Sequence, residues 1–384
     1  MKKIIFTIFL IINSTYLFSQ IDYKNQSFEV GMESINEFRD FLLIKNDANY
    51  KAEMEPLIKW GIDNFKKYGF EVERLETPEL PLILASKIIS EEAKTILVYL
   101  QFDGQPVDNS KWEQEDPYKA VLKEKINQKH EIINWDTLED ITMKDIKKKD
   151  LRIFARSSSD AKGPVMMMLS ALEIMKRNDL KLKYNLKVIM DFEEEISSPN
   201  LASAVKKYSS KLKSDALFIF DGPKHPSNLP TLTFGARGIS DITLITYGPI
   251  VPQHSGHFGN YAPNPVFRMS EILSSMKDKD GRVAIKGFYD GITLNEETKA
   301  ILAGVPDNEK KMMEDMQFNT FDNVGSNYQE SIQYPSLNVR GIESGWVREE
   351  VRTIVPSECI AEIDVRLVLE SDPERLHNLI KTHI

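Results

Sequence analysis

The sequence predicts an α/β fold, with a mostly parallel sheet in its first half and a smaller α+β module after it. Three apolar runs, Thr95–Leu100, Tyr184–Met190 and Ala216–Phe220, have the length and composition of buried strands. A helical pattern at Pro164–Met175 separates the first two runs, and another at about residues 199–212 precedes the third. Strands that alternate with helices in this way are typical of a parallel sheet.

Two helices and two short strands are predicted before these runs. Met32–Asn46 and Tyr50–Tyr68 carry apolar residues at helical spacing, whereas Phe70–Leu75 and Leu80–Ala85 resemble strands. Residues 117–151 are polar and rich in lysine, which predicts a surface insertion.

After about Arg237 the pattern changes, which indicates a second, smaller α+β module. Its predicted elements are the strands Ile239–Thr246, Leu337–Ile342 and Cys359–Leu369 and the helices Pro265–Met276 and Asp372–Thr382.

Composition describes an ordinary globular protein and argues against nucleic-acid binding. The 384 residues are 41% hydrophobic and 28% charged, with a formal net charge of -9 and no dense basic patch. The single cysteine, Cys359, permits no internal disulfide and is predicted to be half-buried on a strand.

The N-terminus has the pattern of a signal peptide over residues 1–20. Two lysines precede the apolar run Ile4–Ile12, which is too short to span a bilayer, and a polar stretch follows it. We therefore expect an exported protein, periplasmic or secreted, with no stable membrane insertion after cleavage. An uncleaved anchor is the alternative.

Three adjacent carboxylates, Glu193–Glu195, directly follow the predicted strand 184–190. Such repulsion is tolerated mainly when cations neutralise it or when one carboxyl group keeps its proton. The segment therefore predicts a metal site with an acid/base group. A solvated charge run at the end of a strand is the alternative interpretation.

Polar residues also flank other predicted elements at the same edge of the sheet. Gln101 and Asp103 follow the strand 95–100, Asp160 precedes the helix 164–175, and Asp221 follows the strand 216–220. A single Asp in such a place is usually a helix cap or a turn former. Because open α/β sheets bind ligands at the carboxyl ends of their strands, several such sites together predict one crevice.

Four motifs make a family resemblance specific: Asp160–Pro164 (DAKGP), Glu194–Leu201 (EEISSPNL), Gln253–Gly259 (QHSGHFG) and Ala361–Leu367 (AEIDVRL). In their order and spacing they resemble the di-zinc metallopeptidase family of carnosinase-like dipeptidases, glutamate carboxypeptidase, aminoacylase and succinyl-diaminopimelate desuccinylase. The resemblance covers roughly residues 30–384 and is greatest to the dipeptidase branch.

The resemblance implies a role for each matching residue. The implied metal ligands are Gln101, Asp160, Glu195 and Asp221, the catalytic residues are Glu194, Asp103 and His254, and the substrate-binding residues are Thr353 and Arg366. Among these, Asp160 would bridge two divalent ions, Zn²⁺ by resemblance with Mn²⁺ as the alternative. Glu194 would be the general base, and Asp103 would support it. His254 would stabilise the oxyanion across a homodimer.

The resemblance also implies the domain organisation. Residues 21–235 would be the first part of a catalytic domain, and residues 236–384 an inserted lid and dimerisation domain. The return of the chain to the catalytic domain, with the family's last His ligand, is absent from this sequence, which predicts a fragment.

Gln101 is a second departure from the family, which has a metal-ligating histidine at this position. A neutral amide oxygen would make the first metal position all-oxygen, which favours Mn²⁺ or Mg²⁺ over Zn²⁺.

The expected function is therefore that of an exported metallopeptidase that hydrolyses dipeptides or short peptides through a metal-activated water. Two alternatives stay open: an N-acyl amino acid deacylase of the same family, and a catalytically silent homologue in which Gln101 has replaced a needed ligand.

Overall fold

The structure is a computed structural model that describes residues 21–127, 129–221, 225, 229–233 and 235–384. The predicted signal peptide, residues 1–20, lies outside these ranges. The chain forms two compact units, unit 1 up to residue 223 and unit 2 from residue 224, whereas the sequence places the boundary at 235/236. None of the helices in the described ranges is both long enough and apolar enough to span a bilayer.

Unit 1 contains seven described helices and eight described strands. The helices are α1 (Tyr23–Glu33), α2 (Ile35–Leu43), α3 (Glu55–Lys67), α4 (Met143–Lys149), α5 (Lys162–Arg177), α6 (Leu201–Lys207) and α7 (Ser209–Leu212). The strands are β1 (Glu71–Leu75), β2 (Leu82–Lys87), β3 (Thr95–Gln101), β4 (Val121–Ile126), β5 (Lys129–Ile133), β6 (Arg152–Phe154), β7 (Asn185–Asp191) and β8 (Ala216–Phe220).

The main sheet of unit 1 has the strand order β1-β2-β7-β3-β8. β3 pairs in parallel with β7 and with β8, and β2 is antiparallel to both of its neighbours. Four of the five strands therefore run in one direction, and the predicted α/β class with a mostly parallel sheet is confirmed. The register places Gln101 beside Asp191, and Leu100 beside Phe220, so the ends of three strands lie side by side.

The core of unit 1 lies between this sheet and the helices α3 and α5, and it reaches the carboxyl end of β3 at Phe102. The ring of Phe102 lies 6.0 Å from that of Phe41 and 5.2 Å from that of Phe192, measured between centroids. A side chain at Gly61 of α3 would approach the Phe102 ring to 3.1 Å, so the glycine permits close packing here. The residues on either side of Phe102 are Gln101 and Asp103, and the core therefore fixes the backbone that carries both.

The lysine-rich stretch 117–151 was predicted as a surface insertion, and in the structure it contains regular strands. β4 pairs with β5 and with β6 in a three-stranded antiparallel sheet. Charged side chains interrupt the apolar residues of these strands, so the alternation that marks a half-buried strand is weak in the sequence.

Unit 2 is an α+β module, as predicted. Its strands are β9 (Gly238–Tyr247), β10 (Gln253–His254), β11 (Ser336–Glu343), β12 (Ile354–Val355) and β13 (Glu358–Leu367). Its helices are α8 (Ser255–Phe258), α9 (Pro265–Met276), α10 (Glu296–Ala303), α11 (Glu309–Met316), α12 (Tyr328–Ser331) and α13 (Pro373–His383).

β13 is the centre of the unit 2 sheet, antiparallel to β11 on one side and to β9 on the other. The helices α9 and α13 contribute Met276 and Leu376 to the core on this sheet. Cys359 of β13 is fully buried against Met269 and Ala361, so the prediction of a half-buried cysteine is wrong. Burial raises the pKa of its thiol.

We predict that Phe102→Ala lowers the free energy of unfolding by about 3 to 5 kcal/mol, because it leaves a cavity among Phe41, Trp60 and Phe192. Denaturant unfolding followed by circular dichroism measures the loss. Tyr50→Ala is the matched control, since Tyr50 is 62% exposed and should lose less than about 1 kcal/mol. Equal losses in the two variants would contradict the packing role of Phe102.

Candidate acidic active site

The carboxyl edge of the unit 1 sheet gathers the polar residues that follow its strands. Asp103 is fully buried after β3, and its Oδ2 accepts a hydrogen bond from the backbone N–H of Glu195 at 2.9 Å. Gln101 is also buried, and its Nε2 donates to Oδ1 of Asp160 at 3.0 Å. These two contacts join the end of β3 to the acidic segment after β7 and to the loop before α5.

Asp160, Glu195 and Asp221 lie close enough to influence one another's charge. Asp160 is an exposed residue, yet partial desolvation of its carboxyl group raises its pKa to about 6, with the negative charges of Asp221 and Glu195 as the next causes. A hydrogen bond between the carboxyl groups of Asp160 and Asp221 raises this pKa further. The three carboxylates predicted as metal ligands are therefore neighbours.

Glu194 has the electrostatic character of a group that exchanges protons near neutral pH. Desolvation raises its pKa to about 7, and the charges of Glu195, Asp221 and Asp160 add to the shift. A carboxyl group with a pKa near the working pH is suited to general acid–base catalysis.

The pKa of Asp103 is also raised, even though two backbone N–H groups stabilise its negative charge. Burial raises its pKa to about 7, against the lowering effect of hydrogen bonds from the backbone of Glu195 and Glu194. These hydrogen bonds hold the turn that contains Glu193–Glu195, which we call the acidic turn. Asp103 therefore positions Glu194 and Glu195 through their backbone.

Asp191, the last residue of β7, holds the acidic turn through hydrogen bonds. Its Oδ1 accepts from the backbone N–H of Glu193 at 3.1 Å, and its Oδ2 accepts from the hydroxyls of Tyr99 at 2.8 Å and Ser198 at 2.7 Å. Asp191 is not among the predicted site residues, although its place two residues before Glu193 was a signal.

Asn46 holds the loop that carries Asp103. Its side-chain Nδ2 donates to the carbonyl of Phe102 and to the Ser157 hydroxyl, both at 2.9 Å, while its backbone carbonyl accepts from the Gly104 N–H at 2.8 Å. A Cβ at Gly104 would collide with Ser157, so this close approach needs glycine. Sequence reasoning missed Asn46, since nothing local distinguishes it from any polar residue after a helix.

Lys162 was also missed, and it ties the loop of Asp160 to α2. Its fully buried ammonium donates to the carbonyl of Phe41 at 2.9 Å and to that of Ile44. Burial lowers the pKa of Lys162 to about 7. The three residues Asn46, Asp191 and Lys162 thus position the loops of the predicted site residues and are not among those residues.

The oxygen-rich edge has features that suit a bound cation. Within the described ranges, no ion pair involves Asp103, Asp160, Glu194 or Glu195, and the buried oxygens Asp103 Oδ1 and Glu195 Oε1 have no hydrogen-bond partner. Buried anionic oxygens without partners are costly, and a divalent ion would satisfy them. The donor set therefore fits a cation that prefers oxygen ligands.

The described residues contain no group of three or more His, Cys, Asp and Glu side chains arranged around one metal position. The metal-ligand roles of Gln101, Asp160, Glu195 and Asp221 therefore stay predictions. In this structure, however, the Gln101 amide donates a hydrogen bond to Asp160 instead of offering its oxygen at that contact.

The remaining predicted site residues lie in unit 2. His254 accepts a hydrogen bond from the Gly256 N–H at 3.0 Å, and the Ser255 N–H donates to the Thr353 carbonyl at 3.0 Å, so His254 and Thr353 lie on neighbouring segments. Arg366 is exposed on β13, with its Nε 3.7 Å from Asp364 Oδ2. Their catalytic and substrate-binding roles stay predictions.

Comparisons with known proteins support the family resemblance. Residues 234–384 match the peptidase dimerisation domain of the M20 family. The Cys-Gly metallodipeptidase of Candida albicans is 26% identical over 89% of this chain and 69% of its own length. The solved structures include an M20 family metallo-carboxypeptidase from Sulfolobus solfataricus, with a TM-score of 0.68, 28% identity, and coverage of 91% of this chain and 75% of that chain.

Human carnosine dipeptidase 1 has the same fold, with a TM-score of 0.72, 21% identity, and coverage of 94% of this chain and 75% of that chain. The predicted resemblance is confirmed by these matches, and the homologues support a peptidase enzyme.

We predict that Asp103→Asn flattens the pH dependence of stability of the metal-free protein. The folded-state pKa of Asp103 is about 7, above its unfolded value, so its contribution is present at low pH and lost as pH rises through 7. The wild-type free energy of unfolding should therefore fall by up to about 4 kcal/mol more than that of the variant between about pH 4 and 8. Urea unfolding with a chelator present measures this, and parallel pH profiles would contradict it.

Proposed function

We propose that this chain, a homologue of the M20 metallodipeptidases that shares their fold, is an exported, metal-dependent peptidase that hydrolyses dipeptides or short peptides. The main support for the proposal is that Asp160, Glu194, Glu195 and Asp221 meet at the carboxyl edge of the unit 1 sheet, where desolvation and mutual repulsion raise the pKa values of Asp160 and Glu194.

The residues that would hold two divalent ions are Asp160 as the shared ligand, Asp221 and Gln101 for one ion, and Glu195 for the other. Such ions, when bound, polarise a scissile carbonyl and lower the pKa of water. The all-oxygen donors favour Mn²⁺ or Mg²⁺ over Zn²⁺.

The proton transfers belong to Glu194 in this proposal. Its raised pKa lets it accept a proton from the attacking water and return it to the leaving amine at nearly neutral pH. Asp103 keeps the turn of Glu194 and Glu195 in place through the hydrogen bond from the Glu195 N–H.

The predicted substrate-binding residues Thr353 and Arg366 belong to unit 2. The guanidinium of Arg366 suits the free carboxylate of a short peptide, and Thr353 would bind its backbone. His254 would reach the oxyanion from the second subunit of a homodimer, a proposal supported by the match to a dimerisation domain.

A catalytically silent homologue is the second candidate, and one observation favours it. The Gln101 Nε2–H···Oδ1 bond to Asp160 satisfies that carboxylate without a cation. Export is part of the first proposal and rests on the signal-peptide pattern of residues 1–20.

We predict that Glu194→Gln lowers dipeptide turnover by at least about a hundredfold while the bound metal persists, because the amide cannot accept the proton. Cys-Gly and β-Ala-His are suitable substrates, and metal content is measured on the same samples. Glu195→Gln is the matched control, and it should lose metal as well as activity.

Loss of metal from Glu194→Gln but not from Glu195→Gln would show that the two roles are exchanged. Rapid hydrolysis of N-acetyl amino acids without any dipeptide turnover would instead support the deacylase.

We predict that Gln101→His increases the affinity for Zn²⁺ relative to Mn²⁺ by at least about tenfold, because imidazole suits zinc better than an amide oxygen. Calorimetric titration of the metal-free protein with each ion measures the change. Gln105→His is the control, since Gln105 contacts Glu195 from an exposed position and is not a predicted ligand. If neither wild type nor Gln101→His binds a divalent ion, the silent homologue is the better proposal.

A further inference from the structure

The segment at the end of β3 contacts the predicted metal ligands at every second position. Gln101 Nε2 donates to Asp160 Oδ1 at 3.0 Å, and Asp103 Oδ2 accepts from the Glu195 N–H at 2.9 Å. Two residues further on, Gln105 Nε2 donates to Oε2 of Glu195 at 2.5 Å. Because alternate residues of an extended segment face the same side, one short stretch reaches both Asp160 and Glu195. Of its three polar side chains, Gln105 is the one to which the proposed function gives no role.

The side chain of Gln105 is exposed, but its backbone is held on both sides. The Gly104 N–H donates to the Asn46 backbone carbonyl at 2.8 Å, and the Pro106 carbonyl accepts from Arg156 Nη2 at 3.0 Å. The proline ring also restricts the preceding residue to extended conformations. The amide of Gln105 therefore extends from a fixed position of the loop.

The carboxylate of Glu195 has one oxygen that is hydrogen-bonded and one that is buried. Oε2 accepts from Gln105, whereas Oε1 is buried and has no hydrogen-bond partner within the described ranges. A buried anionic oxygen without a donor is unfavourable, so the carboxylate would gain hydration by turning outward. The Gln105 bond opposes this rotation. Together with the contact from Asp103 to the backbone N–H, it holds Glu195 at both ends.

We propose that Gln105 is a positioning residue for the metal site, which holds the Glu195 carboxylate at the carboxyl edge of the unit 1 sheet before an ion binds. The inference rests on the proposed function, because it concerns the same divalent ions. Carboxylates that ligate metals are usually hydrogen-bonded by residues outside the ligand set. Loss of such a partner typically costs about ten- to a hundredfold in metal affinity or activity.

Calorimetric titration of metal-free Gln105→Leu with Mn²⁺ and with Zn²⁺ tests this role. Leucine lacks the N–H group, so both ions should bind at least about tenfold more weakly than they bind the wild type. Since Gln105 would not contact the ion, the ratio of the two affinities should stay as in the wild type. Gln317→Leu, which changes an exposed glutamine of unit 2, is the matched control and should bind both ions as the wild type does.

Urea unfolding of the metal-free proteins separates a positioning role from a role in folding. The wild type, Gln105→Leu and Gln317→Leu should unfold at the same urea concentration, because both glutamines are exposed. If Gln105→Leu unfolds earlier, Gln105→Met, which keeps an unbranched side chain, decides by the same titration.

Unchanged or increased affinity in Gln105→Leu, with binding by the wild type, would overturn the inference and leave the proposed function intact. An equal loss in Gln317→Leu would do the same. A changed ratio of the Mn²⁺ and Zn²⁺ affinities would also overturn it, because Gln105 would then be a ligand. Absence of binding in the wild type would overturn both the inference and the proposed metal-dependent function.

Discussion

Repulsion among carboxylates at the carboxyl ends of β7, β3 and β8 is the constraint that the surrounding contacts of unit 1 must overcome. Desolvation and the charges of Glu195 and Asp221 raise the pKa values of Asp160 and Glu194. No lysine or arginine in the described residues forms an ion pair with Asp160, Glu194 or Glu195. Such a cluster persists only where the surrounding structure holds it. That support comes from buried side chains and backbone groups that fix the loops without cancelling the negative charge.

The supporting contacts explain how the carboxylates at this edge keep fixed positions although their charges repel one another. Asp191 fastens the acidic turn through a backbone N–H and two hydroxyls, and Asn46 fastens the loop of Asp103 through the Phe102 carbonyl and Ser157. Gln101 adds one uncharged hydrogen bond to Asp160. A bound cation would supply the positive charge that these groups lack. Without a cation, raised pKa values keep some of these carboxyl groups protonated near neutral pH.

Much of this arrangement was predictable because it follows from periodicity. The apolar runs at 95–100, 184–190 and 216–220 are strands in the structure, and the groups that follow a parallel strand necessarily meet at one edge. Asn46 and Lys162 were not predictable, since their importance comes from burial against distant carbonyls and not from any local pattern. The β4–β6 sheet was missed for a related reason, because its charged side chains hide the alternation of its strands.

The ammonium of Lys162 has a consequence for how unit 1 assembles. It joins α5 to the carbonyl of Phe41, a contact that spans 121 positions of the chain. An ammonium desolvated without those acceptors would be strongly disfavoured, so Lys162 becomes buried only when α2 is in place. A contact this distant in sequence slows the search for the native state, and it cannot form until the chain has been synthesised beyond residue 162.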